Sequence, residues 1–318
     1  MHHQCLLLVR IDKIYIILKM KLHLKYLSLL FISVSLLCIS KSWAQQPLFN
    51  QQDLKLISSQ FAFTEGPTVN KNGDVFFTDQ PNDKIWKYSA DGQLTLFMDK
   101  TGRSNGLYFD KKGNLLACAD EKNELWLIDK KGKVKVLITD FEGKKLNGPN
   151  DIWLDNKGGI YLTDPYYQRD YWERKKPDIE KQNVYYLPAG KNAKLRMVAD
   201  DLKQPNGIVG TPDGKYLYVS DIGARITYKY NIGQDGSLTD RKIIINQGSD
   251  GMTLDNQGNI YQAGNGVDIF NPDGVKIGHI DLKGWTGNLC FGGKNRTDLI
   301  ITSGKSLYVL PMQVRGVE

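Results

Sequence analysis

Hydrophobic positions along the chain fall into short runs of β-forming residues, and each run follows a turn that combines Gly with Asp or Asn. One such turn at residues 71–74 leads into residues 75–79, and another at residues 212–214 leads into residues 216–221. A second apolar run and a second turn follow most copies, so the pattern predicts units of four short strands. No window carries an apolar stripe of helical period, which predicts almost no helix.

The turn repeats at a spacing of about one propeller blade. Successive turn glycines are 40, 45, 56 and 44 residues apart, and a degraded sixth copy runs through residues 294–303. A β-sandwich with the same number of strands would not repeat one turn at this spacing. The sequence therefore predicts an all-β fold, a six-bladed β-propeller of four-stranded blades. The repeat glycines are Gly73, Gly113, Gly158, Gly214 and Gly258.

Two further segments bear on the propeller. Residues 54–57 precede the first full repeat, and we expect them to pair with residues 306–310, which would join the chain ends and remove two sheet edges. The longest insertion, residues 165–181, carries Tyr166, Tyr167, Tyr171 and Trp172. It is either a lid or substrate wall or a solvated excursion, and its aromatic content favours the wall.

The N-terminus has the anatomy of a secretory signal peptide. Lys21 and Lys25 precede a short apolar run at residues 27–39, and Ser42-Trp43-Ala44 predicts cleavage before Gln45. The run is short for a membrane span, so an uncleaved anchor helix is the less favoured alternative. We therefore expect residues 1–44 to be a signal peptide with a misassigned N-terminal extension, since Met20 opens a better signal. Residues 45–318 would form one propeller domain, exported to the periplasm or secreted.

Removing the leader also changes the charge of the protein. The whole chain has a net charge of +7, but the first 44 residues hold six bases and one acid, so the remainder is close to +2. Such a balance indicates no nucleic-acid partner. Only His279 remains beyond the leader, which excludes a histidine-rich zinc site, and its alternating context predicts an outward-facing position. Cys118 and Cys290 could pair in an oxidising compartment, but two buried free thiols are favoured.

Six polar residues stand eight positions before the turn residue of their repeat, usually beside Gly or Pro. A constant phase in a rotational repeat means equivalent positions, so we expect these side chains at the starts of the innermost strands, pointing at a common centre. Asn and Asp often serve only as turn formers, but six residues in phase, one of them a Glu, favour a functional ring. They are Glu65, Asn105, Asn150, Asn206, Asp250 and Asn288.

Oxygen donors of this kind suit a hard divalent cation, and Ca²⁺ is the leading candidate. Glu65 and Asp250 would neutralise the ion, while the Asn amides add oxygens without further charge. A second series closes the second strands, and we expect it to bond backbone amides at blade corners, with a role in the site as the alternative. These residues are Asp79, Asp120, Asp164 and Asp221.

Seven short motifs, spread from about Phe61 to Tyr308, are specific in combination. They are Glu65-Gly66-Pro67, Ser104-Asn105-Gly106-Leu107, Leu146-Asn147-Gly148-Pro149-Asn150-Asp151, Thr163-Asp164-Pro165-Tyr166, Pro205-Asn206-Gly207, Asp250-Gly251-Met252 and Cys290-Phe291-Gly292-Gly293.

This combination resembles the gluconolactonase/regucalcin (senescence marker protein) family, closest to its exported bacterial gluconolactonase-like branch. The resemblance implies a six-bladed propeller that binds a divalent ion, usually calcium, and hydrolyses lactones or, in some relatives, organophosphates. Carried over by motif, it implies Glu65, Asn150, Asn206 and Asp250 as metal ligands, with Asp250 also the catalytic base or nucleophile. Asn105, Asn288 and Tyr166 would each contact either the substrate or the residues that bind the metal.

Two departures from the family pattern bear on substrate. Gly148 stands where regucalcin carries Arg and bacterial relatives often carry Ser, and residues 119–123 replace a segment that commonly bears His. We expect a metal-dependent hydrolase that opens a sugar lactone such as gluconolactone to the hydroxy acid. The alternatives are a non-enzymatic, calcium-stabilised propeller that binds a glycan or protein, and a phosphoester or organophosphate hydrolase. The absence of an Arg on the inner ring counts against the latter.

Overall fold

The computed structural model describes residues 19–23 and 47–317. The chain divides into two compact units, Met1–Pro47 and Leu48–Glu318. In the first unit the described residues form a single exposed helical turn at residues 19–23. Across the described ranges, no helix has the length and apolar character needed to span a membrane. The predicted cleavage site lies outside the described residues, and the signal peptide stays a prediction.

The second unit is built from twenty-two strands and two 3-10 helices, Gln51–Asp53 and Gln80–Asn82. Four of its sheets have four antiparallel strands each, in chain order. The first two sheets are β2 (Thr64–Val69), β3 (Val75–Asp79), β4 (Lys84–Tyr88), β5 (Leu94–Asp99), and β6 (Ser104–Phe109), β7 (Leu115–Ala119), β8 (Glu124–Ile128), β9 (Val134–Ile138). The next two are β10 (Ile152–Leu154), β11 (Ile160–Asp164), β12 (Gln182–Leu187), β13 (Arg196–Leu202), and β14 (Pro205–Gly210), β15 (Tyr216–Asp221), β16 (Ile226–Ile232), β17 (Leu238–Ile245).

The fifth sheet has six strands, in the order β1, β22, β21, β20, β19, β18. Its strands are β1 (Lys55–Ser58), β18 (Met252–Leu254), β19 (Ile260–Phe270), β20 (Lys276–Gly292), β21 (Asp298–Ser303) and β22 (Ser306–Pro311). The predicted closure is confirmed, because Lys55 of β1 pairs with Val309 of β22 in antiparallel register.

The repeated turn holds its shape through one side chain. The carboxylate of Asp110 accepts hydrogen bonds from the amides of Lys112 and Asn114, both at 2.8 Å. Gly113 takes a φ of +80°, which only glycine adopts without strain. The same arrangement recurs where Asp155 precedes β11, with bonds to the amides two and four residues on. Asp or Asn followed by Gly therefore fixes the hairpin that begins each unit.

Consecutive sheets pack face to face through buried apolar side chains. Phe76 and Ile85 of the first sheet lie in one cluster with Leu107 and Leu115 of the second. A larger cluster joins side chains of the third, fourth and fifth sheets, with Trp153, Tyr161, Leu217, Val219 and Leu254 among its members. Antiparallel sheets that pack face to face in sequence order around a central axis form an all-β propeller.

The predicted class of fold is therefore confirmed, but six separate four-stranded blades are not observed. Hydrogen bonding separates four four-stranded sheets and one six-stranded sheet among the described residues. The reason lies in β20, which is continuous over 17 residues. Its first part pairs with β19, as in Val267 with Ile280, and its last part pairs with β21, as in Cys290 with Ile300. One unbroken strand thus merges the last two repeats.

Candidate functional site

The six in-phase residues lie at or near the starts of inner strands. Glu65, Asn105 and Asn206 are each the second residue of β2, β6 and β14. Asn150 and Asp250 stand two residues before β10 and β18, and Asn288 lies within β20. All are buried except Asp250, which stays partly accessible to solvent. Asp250 is therefore the member of the set that solvent reaches most readily, whereas the other oxygen donors are buried.

Neighbouring copies touch in sequence order, and the last touches the first. The amide of Gly106 donates to the carbonyl oxygen of Asn150 at 2.7 Å, and the carboxylate of Asp151 accepts from the amide of Ile208. Elsewhere glycine permits the close approach, because an added Cβ would collide with the next copy. The distances from the added Cβ would be 2.1 Å from Gly66 to the Asn105 carbonyl oxygen, 2.6 Å from Gly207 to the Asp250 carbonyl oxygen, 2.0 Å from Gly251 to Asn288 Cγ, and 2.8 Å from Gly287 to Glu65 Oε1. The structure therefore brings all six predicted residues into one closed ring.

The ring holds a third carboxylate that the sequence analysis did not single out. Asp151 follows Asn150 and is buried, and its carboxylate accepts from the amide of Ile152 at 2.9 Å and from Asn288 Nδ2 at 3.4 Å. Its place in the motif Pro-Asn-Asp, where four of the other five repeats have Gly after the in-phase residue, was the available clue. Three acidic side chains, Glu65, Asp151 and Asp250, therefore converge.

Negative charge at the ring is offset only at a distance, by the effect of Arg169 on Asp250. Among the described residues, no Lys, Arg or His forms an ion pair with Glu65, Asp151 or Asp250. Burial, and then the charges of Asp250 and Asp151, raise the pKa of Glu65 well above its usual value. Burial raises the pKa of Asp151 to about 7 and that of Asp250 to about 6. A bound cation would stabilise the ionised forms of these carboxylates, so the charge of the site favours cation binding.

The chemistry of the donors fits a hard cation. Asn105 Oδ1 is buried without a hydrogen-bond partner, and an unmet buried oxygen is costly unless a ligand uses it. The described residues contain no group of three or more His, Cys, Asp or Glu side chains arranged to hold a metal, so any metal here would depend on amide oxygens as well as carboxylates. Calcium accepts such mixed oxygen donors.

Asp250 is positioned by two neighbours. The indole Nε1 of Trp285 donates to Asp250 Oδ2 at 2.6 Å, and Asn206 also bonds the carboxylate. Both contacts lower the pKa of Asp250 against the larger effect of burial. Trp285 lies within β20 with its side chain about half exposed (48%). No sequence pattern marked this residue, because only the pairing of β20 places the indole over the ring.

The insertion at residues 165–181 contacts the ring and is not a solvated excursion. The hydroxyl of Tyr167 accepts a hydrogen bond from Asn206 Nδ2 at 2.9 Å. The predicted Tyr166 instead donates its hydroxyl to Gln168 Oε1 at 2.6 Å. The insertion therefore forms one wall of the site, and its aromatic content was the clue to this role.

Asp120 anchors that wall, and here the expectation for the second Asp series fails. Asp79, Asp164 and Asp221 do accept backbone amides at blade corners, as predicted. No backbone amide of the described residues bonds the Asp120 carboxylate, which accepts from Arg169 Nε at 2.9 Å and from the hydroxyl of Tyr171. The insertion supplies these donors from a distant part of the chain, so the local repeat could not reveal them.

The remaining histidine and the two cysteines lie outside the ring. His279 lies in β20 with Nδ1 at 2.6 Å from Asp268 Oδ1, and it does not touch the ring carboxylates. Cys118 and Cys290 are both buried and form no disulfide, in line with the favoured prediction. Burial raises the pKa of the Cys118 thiol well above its usual value, which makes the thiol unreactive.

Fold and site together define an all-β propeller with a ring of buried carboxylates and carboxamides opening beside an aromatic wall. The chain belongs to the SMP-30/Gluconolactonase/LRE-like family, whose model matches residues 63–305. It is 29% identical over 286 residues to a gluconolactonase of Zymomonas mobilis, covering 79% of each chain.

Solved structures agree with this assignment. A gluconolactonase of Xanthomonas campestris superimposes with a TM-score of 0.76 at 29% identity, over 81% of this chain and 89% of the other. A calcium-binding protein of Agrobacterium tumefaciens, regucalcin, superimposes with a TM-score of 0.68 over 82% and 94% of the two chains. At 20% identity, the latter likeness concerns the fold alone.

Proposed function

We propose that this protein is a calcium-dependent lactonase that opens a sugar lactone such as glucono-1,5-lactone to its hydroxy acid. The observation that carries the proposal is the convergence of Glu65, Asp151 and Asp250 with Asn amides in one ring, whose carboxylates form no ion pair among the described residues. Membership of a family with gluconolactonases among its relatives supports the reaction class.

Glu65, Asn150, Asn206 and Asp250 are the residues that would hold the ion, with the oxygen of Asn105 close by. When bound, a divalent cation would supply Lewis-acid polarisation of the lactone carbonyl and stabilise the developing oxyanion. The unpaired oxygen of Asn105 and the partly accessible carboxylate of Asp250 support this arrangement. Calcium fits better than zinc because the donors are oxygens.

The protein residues around Asp250 set its role in hydrolysis. Trp285 and Asn206 bond the carboxylate, which fixes its orientation toward the opening. Asp250 would take a proton from the water that attacks the carbonyl carbon, or attack that carbon itself to form an acyl-Asp250 anhydride that water then hydrolyses. The bond from the carbonyl carbon to the ring oxygen then breaks, and this oxygen leaves as a hydroxyl after it receives a proton. Tyr167 and Trp285 would flank the sugar ring.

Two finer points belong to the same proposal. We infer that the six-stranded sheet comprises two blades that share β20, which would make the propeller six-bladed like its repeat pattern. We also infer that residues 1–44 direct export and are removed before Gln45. N-terminal sequencing of the mature protein tests the second point, and a chain that still begins at Met1 or Met20 would contradict it.

The function is tested by hydrolysis of a lactone panel, beginning with glucono-1,5-lactone, by protein that starts at Gln45 and is saturated with calcium. We expect turnover, and a loss of at least about 100-fold in kcat for Asp250→Asn. Asp273→Asn is the matched control, because Asp273 lies on an exposed turn remote from the ring and should keep full activity. Calcium binding without turnover of any lactone would favour a binding propeller instead.

A further inference from the structure

An arginine of the insertion, Arg169, lies near Asp250. The guanidinium of Arg169 lies over the ring of Tyr167, with its central carbon 5.6 Å from the ring centroid. The hydroxyl of Tyr167 in turn bonds Asn206 of the ring at 2.9 Å. One aromatic side chain thus separates the cation from the residues that would hold the metal. Arg169 also lies close enough to Asp250 for its charge to lower the pKa of that carboxyl.

Arg169 is held through Nε alone, which leaves its two terminal guanidinium nitrogens available to a ligand. Nε donates to Asp120 Oδ2 at 2.9 Å, and this buried carboxylate fixes the side chain. Within the described part of the chain, the two terminal nitrogens donate no hydrogen bond. The side chain is only about a quarter exposed (25%). An arginine held by its inner nitrogen presents its outer N–H groups as a planar pair, which matches the two oxygens of an anionic group.

We propose that Arg169 selects lactones that carry a negatively charged substituent, in particular a carboxylate on the carbon chain away from the ester carbonyl. This inference rests on the proposed lactonase function and names its substrate class. The ring and Asp250 would engage the ester, and Arg169 would receive the distant carboxylate in a bidentate pair across the wall formed by Tyr167. Asp120 serves as a positioning residue, because it touches Arg169 and not the substrate.

A purely structural role for Arg169 would have a different signature. If the guanidinium served only to neutralise Asp120 and hold the insertion, its loss would affect every substrate equally. A recognition role predicts that the loss depends on the charge of the substrate. Two lactones of the same ring size separate these readings: D-glucono-1,4-lactone is neutral, and D-glucaro-1,4-lactone has a carboxylate in place of the terminal hydroxymethyl group.

The experiment measures kcat/KM for both lactones with calcium-saturated wild type and Arg169→Met. We expect the wild type to prefer the glucaro-lactone, and the ratio of its kcat/KM to that of the neutral lactone to fall about 10- to 100-fold in the variant, as the loss of a charge-assisted pair predicts. Lys176→Met removes an exposed charge from the same insertion and should leave the ratio unchanged. Asp120→Asn/Arg169→Met avoids a buried unpaired carboxylate and should show the same fall.

Equal losses on the two lactones, or an unchanged ratio in the double variant, would overturn the inference and leave the lactonase proposal intact. Turnover of the neutral lactone alone by the wild type would also overturn it. If the wild type hydrolyses neither lactone, the proposed function fails, and calorimetric titration with sodium D-glucarate still tests Arg169. Weaker binding in Arg169→Met than in wild type would then support the anion site, and equal binding would exclude it.

Discussion

Trp285 and Asp250 are joined by a hydrogen bond of 2.6 Å from the indole nitrogen to one carboxylate oxygen. They stand 35 residues apart in sequence and meet because Trp285 pairs with Asn265 of β19, at the end of the β19–β20 ladder. The bond stabilises the ionised form of Asp250, so it opposes the rise in pKa that burial causes. The orientation and charge of the proposed catalytic carboxylate therefore both depend on a half-exposed indole, together with Asn206.

Trp285→Phe should impair catalysis through Asp250. The substitution keeps an aromatic ring but removes the donor, so the pKa of Asp250 should rise and the acid limb of the kcat/KM profile should move to higher pH. We expect kcat to fall by about 10-fold, a typical cost for one charge-assisted hydrogen bond.

The matched control for that variant is Trp126→Phe. Trp126 Nε1 also donates to a carboxylate at 2.6 Å, that of Glu124, but in the second sheet and away from the ring. Its removal should leave the pH profile unchanged. Identical profiles for Trp285→Phe and wild type would show that the indole does not tune Asp250.

Stability of the calcium-free protein should fall as the pH rises. Burial raises the pKa of Asp250 from 3.8 to about 6 and that of Asp151 from 3.8 to about 7. The folded state therefore binds more protons than the unfolded state between about pH 4 and pH 7, and the free energy of unfolding decreases across this window. Chemical denaturation at several pH values in the presence of chelator measures the slope.

Calcium should reverse this loss, because ionised carboxylates bind the ion and protonated ones do not. We expect the rise in Tm on adding calcium to be larger at pH 8 than at pH 5. A rise that is equal at both pH values, or absent at both, would argue against these carboxylates as the metal site.

Gly66→Ala should disrupt the ring itself. Gly66 has a φ of +48°, and an added Cβ would lie 2.1 Å from the carbonyl oxygen of Asn105. We expect a loss of about 3 kcal/mol in the free energy of unfolding, since backbone strain and overpacking add. Gly132→Ala is the control, with a φ of +80° but no atom within 4 Å of the new Cβ, and should lose about 1 kcal/mol. Equal losses would mean that the close approach is not tight.

Much of the architecture could be predicted because it follows from local chemistry repeated at a fixed spacing. The turn aspartates and glycines fix each hairpin, and the pairing of β1 with β22 follows from an unpaired run at each end of the domain. The constant phase of Glu65 through Asn288 placed these residues together for the same reason. Merging of the last two repeats could not be predicted, since the continuity of β20 depends on pairing with both neighbours.

Site features that depend on the insertion or on long-range pairing were missed. Asp120 belongs to a series that bonds backbone amides elsewhere, yet it bonds Arg169 and Tyr171 because the insertion reaches it from about fifty residues away. The inner strands carry no arginine, as the sequence indicated, but Arg169 approaches from the wall. A repeat pattern reports what every blade shares and cannot report what one long loop adds.

Removal and return of calcium during lactone hydrolysis tests the central claim most directly. Protein that starts at Gln45 is stripped with chelator, assayed with glucono-1,5-lactone, and assayed again after calcium is restored in excess. Calcium-dependent lactonase activity predicts a loss to the spontaneous rate and full recovery with calcium. Undiminished hydrolysis by the stripped protein, with its calcium content verified as negligible, would contradict the proposed role of the ring.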